Sequence, residues 1–278
     1  MTARPNSIQE QAAVPTGTQP TRGSDMTTTS LTAPAAPTGG LGETLRRLSA
    51  AQKGAKGAPA YSRFVNRKLG RVLAALAFHA RLTPNIVTAI SATFTATAIA
   101  LLALVRPSWG MGIAVTACLV VGYAFDAADG QLARLRGGGS PAGEWLDHMV
   151  DAAKTSSLHL AVLIGLYRFE TVERGPLLLI PLGYCVVGAV LFFGTMLNEA
   201  LRERHGAVTR AARTGERPSV LRSLVVVPTD YGLLCWVFVL IGAPVVFFSV
   251  YTFLFVATAA YLVLACGKWF REIGRLPR

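Results

Sequence analysis

Charged side chains are scarce in this sequence of 278 residues, in which Asp, Glu, Lys and Arg together make up only 15%. A soluble domain usually contains about 25%. Acidic residues are the scarcer kind, because 15 Asp and Glu are outnumbered by 27 Lys and Arg, which gives a net charge of +12. A nucleic-acid-binding protein can be as basic, but it carries its charges on a polar chain, whereas 52% of these residues are hydrophobic. The composition therefore disfavours a soluble enzyme and a nucleic-acid partner, and it favours a polytopic membrane protein.

Cysteine is also sparse, and its spacing excludes one familiar kind of metal site. The four cysteines lie inside apolar stretches, and no two of them form a CxxC metal motif. We expect them to be small apolar core residues, at Cys118, Cys185, Cys235 and Cys266.

Long uncharged stretches dominate the rest of the chain, and a membrane-spanning helix needs about 20 such residues. Three stretches have 24, 19 and 23 residues, namely Leu82 to Val105, Pro107 to Phe125 and Pro176 to Asn198. The 37 residues from Tyr231 to Gly267 are too many for one span, and the Gly-Ala-Pro break at 242–244 divides them. The 13 residues from Thr155 to Tyr167 span only if their helix begins near Gly143. The sequence predicts an all-α polytopic fold with six transmembrane helices at 84–106, 110–136, 143–168, 176–200, 226–243 and 246–267.

The basic residues predict the orientation of these helices. With a cytoplasmic N-terminus, 23 of them fall on the cytoplasmic side and 3 on the opposite side. This asymmetry follows the positive-inside rule. We therefore expect an integral protein of a bacterial plasma membrane, with both termini facing the cytoplasm.

The chain divides into four segments. Residues 1–58 are rich in Thr, Ala, Pro, Gly and Ser and are expected to form a disordered N-terminal tail. Residues 59–82 place apolar side chains at helical spacing with basic residues on the other faces, which predicts an amphipathic juxtamembrane helix in contact with membrane lipids. A soluble helix packed on a partner is the alternative. Residues 83–268 form the six-helix domain, and 269–278 form a basic cytoplasmic tail.

Four of the six aspartates lie within the predicted second and third spans. Asp126 and Asp129 are three residues apart, and Asp147 and Asp151 are four apart, so each pair shares one helix face. An ionised carboxylate costs about 2.5–3.5 kcal/mol at the bilayer centre, and too few basic residues lie nearby in sequence to compensate four of them. Because hard divalent cations prefer oxygen ligands, the pattern indicates a metal site, with a proton pathway as the alternative. His148 lies about 100° around the helix from Asp147 and is expected to pack away from this face.

Read as a string, this region is Asp126-x2-Asp129-Gly130-x2-Ala133-Arg134-x8-Gly143-x3-Asp147-x3-Asp151. It resembles the signature of the CDP-alcohol phosphotransferase family and matches all eight of its fixed positions. The Leu82-Thr83-Pro84-Asn85 entry to the first span is also similar, and the resemblance covers about residues 60–267. Family members have six membrane helices and usually a short N-terminal amphipathic helix. They are commonly homodimers, so a homodimer is expected here.

The resemblance implies a reaction of phospholipid biosynthesis. The family displaces CMP from a CDP-linked alcohol, most often CDP-diacylglycerol, with the hydroxyl of a second alcohol, here expected to be a polyol or a polyol phosphate. It implies two Mg²⁺ ions, with Mn²⁺ as an alternative. Asp126, Asp129 and Asp147 would hold the first ion, and Asp126, Asp147 and Asp151 the second. Asp151 would also be the catalytic base that takes the proton of the acceptor hydroxyl.

The same resemblance implies a CDP site lined by Gly130, Ala133, Arg134 and Gly143. A guanidinium can hold a phosphate through two parallel hydrogen bonds, and glycines let the backbone approach the nucleotide. Ser140 and Asn85 are further expected nucleotide contacts. A plain helix connector is the alternative interpretation of the glycine-rich turn at 137–141.

The acceptor is less well defined by the sequence. Six arginines cluster after the fourth span, at Arg202, Arg204, Arg210, Arg213, Arg217 and Arg222. They can bind an acceptor phosphate or anionic lipid headgroups. The Ser62-Arg63-x2-Asn66-Arg67 stretch is similar to enzymes that use CDP-inositol, which keeps a CDP-polyol donor as an alternative. An intramembrane prenyltransferase and a carboxylate-based transporter are alternative classes, but neither explains the Gly and Arg positions of the signature.

Overall fold

The computed structural model describes residues 39–50, 59–169, 175–207 and 227–276, and these residues form helices joined by short turns. Five helices are long and apolar enough to cross a membrane, and a shorter apolar segment runs from Tyr231 to Gly242. The predicted all-α polytopic fold is thereby confirmed. The helices are α1 (Leu41–Ala50), α2 (Arg67–His79), α3 (Pro84–Leu104), α4 (Trp109–Leu135), α5 (Pro141–Arg168), α6 (Leu179–Arg204), α7 (Tyr231–Val237) and α8 (Pro244–Ile273).

Side-chain caps explain where several helices begin. The hydroxyl of Thr83 accepts a hydrogen bond from the backbone N–H of Ile86 ahead of α3, and Ser140 does the same for Gly143 ahead of α5. A proline follows each of these caps, and its fixed φ suits the first helical position. Ser140 therefore starts the helix that carries Asp147 and Asp151.

The fifth predicted span differs most from the structure. In place of a helix over 226–243, α7 gives way to a 3₁₀ segment, Phe238–Gly242, before α8 begins at Pro244. The predicted break at 242–244 is confirmed. Gly242 packs against the ring of Trp109, where a β-carbon would lie 2.5 Å from Trp109 Cδ2. The last span is longer than predicted, since α8 continues to Ile273.

Helices α5, α6 and α8 are joined by a buried polar group in the middle of the bundle. The Nδ1 atom of His159 lies 2.7 Å from the hydroxyl of Tyr251, and the ring of His159 stacks on that of Tyr184 with centroids 3.9 Å apart. Thr258 lies 3.4 Å from the hydroxyl of Tyr184. These contacts satisfy polar atoms that would otherwise be buried without partners in the apolar core.

One part of the predicted disordered tail is helical. Residues 41–50 form α1, which packs on α2 and buries Leu48 to 1% exposure. Thr44 contributes a hydroxyl 3.2 Å from His79 Nε2, and Arg71 donates a hydrogen bond to Ser49. A helix of this length is marginal by itself, so packing on α2 stabilises it. The prediction of disorder for 1–58 is therefore wrong for 41–50, and most of the remaining tail lies outside the described residues.

The juxtamembrane segment is helical, with a single π-turn at Ser62–Asn66 followed by α2. One face of α2 packs closely on α4, because a β-carbon on Gly70 would lie 2.8 Å from Ala127 Cβ. The opposite stripe is apolar and between 39% and 50% exposed, comprising Val65, Leu69, Val72 and Leu76. An exposed apolar stripe of this kind suits a helix that lies in the membrane interface.

Candidate active site

The carboxylates of α4 lie in its last third, where Asp129 is almost fully enclosed at 5% exposure. The hydroxyl of Thr88 on α3 lies 2.7 Å from Asp129 Oδ2, and the N–H of Gly130 donates to Oδ1 at 2.5 Å. Both donors are neutral, so they orient the carboxylate without cancelling its charge. Sequence reasoning missed Thr88. The only signal was a threonine one turn after the start of the first span.

Lys154 joins the two pairs of aspartates. Its ammonium Nζ lies 2.9 Å from Asp126 Oδ1 on α4 and 2.5 Å from Asp151 Oδ1 on its own helix. It also lies 5.4 Å from the centre of the Tyr231 ring, and the side chain is only 9% exposed. Sequence analysis judged the nearby basic residues too few to compensate four aspartates, and the structure places one of those residues, Lys154, inside the carboxylate cluster.

The first turns of α5 bring together three side chains that can bind a metal. Ligand atoms of Asp147, His148 and Asp151 all lie within 4.8 Å of one another. The expectation that His148 packs away from this face is wrong, because His148 and Asp151 are three residues apart on α5 and therefore share a helix face. His148 Nε2 also lies 3.8 Å from Glu144 Oε1. This oxygen and nitrogen donor set fits a divalent ion.

Three predicted nucleotide contacts converge beside these carboxylates. A β-carbon on Gly143 would lie 3.0 Å from Asn85 Oδ1 and 3.2 Å from Ser140 Oγ. The start of α3 and the start of α5 therefore meet with only a glycine between the two polar side chains. A larger residue at 143 would push Asn85 or Ser140 away.

The other predicted nucleotide contacts lie at the end of α4. A guanidinium nitrogen of Arg134 lies 3.5 Å from where a β-carbon on Gly130 would be, so the arginine folds back along its own helix toward the aspartates. Gly139, in the turn before α5, faces Ala133 at 3.9 Å from its own β-carbon position. Gly137 and Gly138 have φ of +96° and +129°, which only glycine adopts readily. The turn is thus a specific close connection between α4 and α5.

A second arginine lies near Arg134. Arg67, at the start of α2, is close enough for the two like charges to repel, while Asp129 attracts Arg134. Burial lowers the pKa of the Arg67 guanidinium, and the charge of Arg63 lowers it further. The carbonyl of Arg67 accepts a hydrogen bond from Gln131 on α4 at 3.2 Å, which fixes the start of α2 beside the site. The positive charges of Arg134 and Arg67 therefore lie at the edge of the aspartate cluster.

The sixth aspartate of the sequence, Asp230, has a structural role that sequence analysis did not assign. Its Oδ2 accepts hydrogen bonds from the N–H groups of Tyr61 at 2.8 Å and Ser62 at 3.4 Å, and its Oδ1 accepts one from Gly232 at 3.0 Å. Burial raises the pKa of the Asp230 carboxyl, and these three hydrogen bonds oppose the rise. Asp230 caps α7 and at the same time fastens the start of the juxtamembrane segment to it. An Asp directly before a helical segment was the available signal.

Three tyrosine rings connect the hydrogen bonds of Asp230 with Lys154. The rings of Tyr61 and Tyr123 stack with centroids 6.4 Å apart, and those of Tyr123 and Tyr231 meet edge to face at 5.1 Å. Tyr231 is the ring that faces the Lys154 ammonium. The juxtamembrane segment, α4 and α7 therefore share one aromatic cluster, and Lys154 of α5 faces it.

The predicted basic patch is only partly visible. Arg202 is 8% exposed, and its guanidinium is paired with Glu272 of α8 at 2.5 Å, so it is not available as a surface phosphate ligand. Arg202 therefore does not fit either expected role, as an exposed ligand of an acceptor phosphate or of lipid headgroups. Arg204 is exposed at the end of α6. The remaining four predicted members lie outside the described residues, at Arg210, Arg213, Arg217 and Arg222.

A polytopic helical bundle with four aspartates, a lysine and an arginine gathered where two of its spans meet fits the class of membrane-embedded enzymes that handle phosphate groups. The family model of CDP-alcohol phosphatidyltransferase matches residues 81–269, and the chain belongs to this family. It is therefore a phosphotransferase with CDP-alcohol phosphatidyltransferase activity. Membership decides against the prenyltransferase and transporter alternatives. The helices α1 and α2 precede the matched residues.

Two solved structures of phosphatidylinositol phosphate synthase from Mycobacterium tuberculosis are similar to the chain. One, in complex with manganese and citrate, is 23% identical with a TM-score of 0.49, covering 74% of this chain and 88% of the other. The other, with CDP-DAG bound, is 23% identical with a TM-score of 0.48, covering 77% of this chain and 95% of the other. No curated protein matches the chain.

Proposed function

We propose that the enzyme transfers a phosphatidyl group from CDP-diacylglycerol to the hydroxyl of a polyol or a polyol phosphate and releases CMP. The observation that carries this proposal is the convergence of Asn85, Ser140 and Gly143 beside the carboxylates of α4 and α5. Such an arrangement can hold a nucleotide diphosphate against metal ligands. The reaction belongs to phospholipid biosynthesis.

Mg²⁺ is the proposed cofactor, with Mn²⁺ as a substitute. Carboxylates of Asp126, Asp129 and Asp147 would hold one ion, and those of Asp126, Asp147 and Asp151 a second. The donor set supports this, because hard divalent cations bind carboxylate oxygens together with substrate phosphates. Such ions, when bound, stabilise the negative charge that develops on the phosphates.

The protein's own residues have separable roles in the proposed reaction. Arg134 would bind the diphosphate, and Gly130, Ala133 and Gly143 would let the nucleotide approach the backbone. Asp151 would take the proton of the acceptor hydroxyl, and the hydroxyl oxygen would form a bond to the phosphorus that carries diacylglycerol. The bond from that phosphorus to the CMP oxygen breaks, and CMP leaves with the electron pair. Lys154 forms an ion pair with the Asp151 carboxylate at 2.5 Å and so holds this side chain in position.

The acceptor is proposed to be polar and to arrive from the cytoplasm, since Arg204 is exposed near the end of α6 and further arginines follow in sequence. A CDP-polyol donor is the second candidate, supported by Arg67, whose charge acts on Arg134, and by Arg63, whose charge acts on Arg67. We further propose a bacterial plasma-membrane location, cytoplasmic termini and a homodimer formed through membrane helices. The segment limits 59–82, 83–268 and 269–278 belong to the same proposal.

The decisive experiment measures CMP release by purified protein in detergent micelles. CDP-diacylglycerol is supplied with a panel of polyols and polyol phosphates, with Mg²⁺ or with EDTA, and a CDP-polyol donor is tested in parallel. We expect CMP only with metal and acceptor, and a loss of at least about 100-fold in Asp151→Asn. The exposed acid Glu203 provides the matched control, Glu203→Gln, which should retain activity. Full activity of Asp151→Asn, or no CMP with any pair of substrates, would contradict the mechanism.

A further inference from the structure

We propose that Lys154 is a resident cation of the carboxylate cluster, which competes with the second divalent ion for Asp126 and Asp151. One ion then binds tightly by itself, and the second binds well only together with the nucleotide diphosphate. This inference rests on the proposed metal-dependent function and deepens it. Lys154 acts here as a positioning residue that orders the arrival of the ions.

The contacts of Lys154 define which half of the cluster it neutralises. Its ammonium lies within 2.9 Å of oxygens of both Asp126 and Asp151, and it bridges α4 and α5. Asp129, in contrast, is held by the neutral hydroxyl of Thr88 and the N–H of Gly130. A divalent ion placed at Asp126 and Asp151 must share both carboxylates with the Lys154 ammonium, which contacts them directly. An ion beside Asp129 meets a carboxylate whose hydrogen-bond donors are neutral, although the charge of Arg134 also acts on it. The two halves therefore offer unequal affinity.

The surroundings of Lys154 keep it at the carboxylates. Lys154 also lines an apolar groove of about 440 Å³ between α3 and α5, together with Thr95, Ala96 and Val150. The ring of Tyr231 lies against the ammonium as well. An ammonium that moved into the groove would lose the charge-assisted hydrogen bond to Asp126 and the ion pair with Asp151, and it would gain no contact of equal strength. Lys154 thus resists displacement by an ion alone.

Formal charges give the same order of binding. Four aspartates carry four negative charges, and Lys154 and Arg134 carry two positive ones. One divalent ion brings this set to neutrality, and a second would leave an excess of two positive charges in a low-dielectric region. A CDP-linked donor carries two negative charges on its diphosphate, which balances the second ion. Binding of the second ion and the diphosphate should therefore be strongly coupled.

The test uses Mn²⁺ as the probe, with the full-length protein in detergent micelles. Mn²⁺ binding is titrated by electron paramagnetic resonance and calorimetry, with and without CDP. In the wild type without CDP, we expect one Mn²⁺ ion to bind tightly and a second to bind with a Kd that is larger by about tenfold or more. CDP should strengthen the second ion and produce the spectrum of a coupled Mn²⁺ pair.

Variants separate this role from a structural one. In Lys154→Met, two ions should bind without CDP, with the difference between their Kd values largely lost. Lys154→Arg, which keeps the charge, should restore the wild-type separation. Gel filtration and thermal unfolding report whether each variant is folded. The wild-type titration tests the inference even if Lys154→Met does not fold.

Two results would overturn the inference. One is two equivalent Mn²⁺ ions in the wild type without CDP, and the other is an unchanged separation of Kd values in folded Lys154→Met. Failure of the proposed function is distinguishable from both, because it would appear as no Mn²⁺ bound by the wild type with or without CDP.

Discussion

The side-chain oxygen of Asn85 lies 3.0 Å from the position that a β-carbon on Gly143 would occupy. The first residues of α3 and α5 are thus in contact through a glycine, and the contact lies beside the metal-binding carboxylates. A distance of 3.0 Å is shorter than nearly all β-carbon contacts in proteins, so a substitution must move Asn85 or the α5 start. This relationship makes the predicted nucleotide contacts testable.

Gly143→Ala should raise the KM for the CDP-linked donor by about tenfold or more, because the added methyl displaces Asn85 and Ser140 from the nucleotide. The measurement is CMP release at varied donor concentration. Gly110→Ala serves as the control, since nothing lies within 4 Å of its β-carbon position on α4. Equal donor KM values in the two variants would mean that Asn85 and Ser140 do not contact the donor.

Thr88→Val should weaken the apparent affinity for Mg²⁺ by about 10–100-fold, as expected for loss of a hydrogen bond that orients a metal ligand. The substitution keeps the shape of the side chain and removes the 2.7 Å hydrogen bond to Asp129. Activity is titrated against Mg²⁺ concentration. Thr93→Val is the matched control, because the hydroxyl of Thr93 is exposed and donates to the carbonyl of Ala89 on its own helix. An unchanged Mg²⁺ dependence in Thr88→Val would show that Asp129 needs no such support.

Arg202→Met should lower stability but leave the KM for a polyol-phosphate acceptor unchanged. The arginine is buried and paired with Glu272, and removing one partner leaves an enclosed charge that costs about 3–5 kcal/mol at most, with partial solvent access reducing the loss. Thermal unfolding in detergent and acceptor kinetics are measured on the same sample. Exposed Arg204→Met should show the opposite pattern, with normal stability. If the acceptor KM rose in Arg202→Met and not in Arg204→Met, Arg202 would have to be a ligand of the acceptor.

Gly232→Ala should destabilise the fold by about 1–3 kcal/mol, as overpacking of a close contact usually does. A β-carbon at this position would overlap the ring of Tyr61, which the hydrogen bonds of Asp230 hold in place. Chemical or thermal unfolding in micelles checks this. Gly267→Ala on α8 is the control, because its nearest neighbour would be a flexible arginine side chain at 4.0 Å. Equal stability of the two variants would mean that the juxtamembrane segment can shift without cost.

Much of the site was predictable because its signals are local. Asp126 and Asp129 share a face by helical periodicity alone, and so do Asp147 and Asp151, whatever the rest of the chain does. The cap at Ser140 and the turn at Gly137 and Gly138 likewise follow from short-range conformational preferences. These features do not require knowledge of which helices are neighbours.

Thr88 and Lys154 show what local reasoning could not supply. Thr88 lies on α3 and reaches Asp129 on α4, so its role exists only once two helices pack side by side. Lys154 could have faced lipid, a neighbouring helix or the carboxylates, and each choice is compatible with its sequence position. The expectation for His148 was wrong for a different reason, since it considered the angle between His148 and Asp147 and not the i, i+3 spacing of His148 and Asp151.

The sequence by itself determined the all-α polytopic class, most of the membrane spans and the two aspartate pairs, because each depends on composition or on helical repeats along one segment. Only the tertiary structure decided that Lys154 bridges the two pairs, that Asn85 meets Gly143, that Arg202 is paired internally and that α1 folds at all. Each of these is a contact between residues far apart in sequence. Such contacts are selected by the packing of whole helices, whose relative positions no single stretch of sequence specifies.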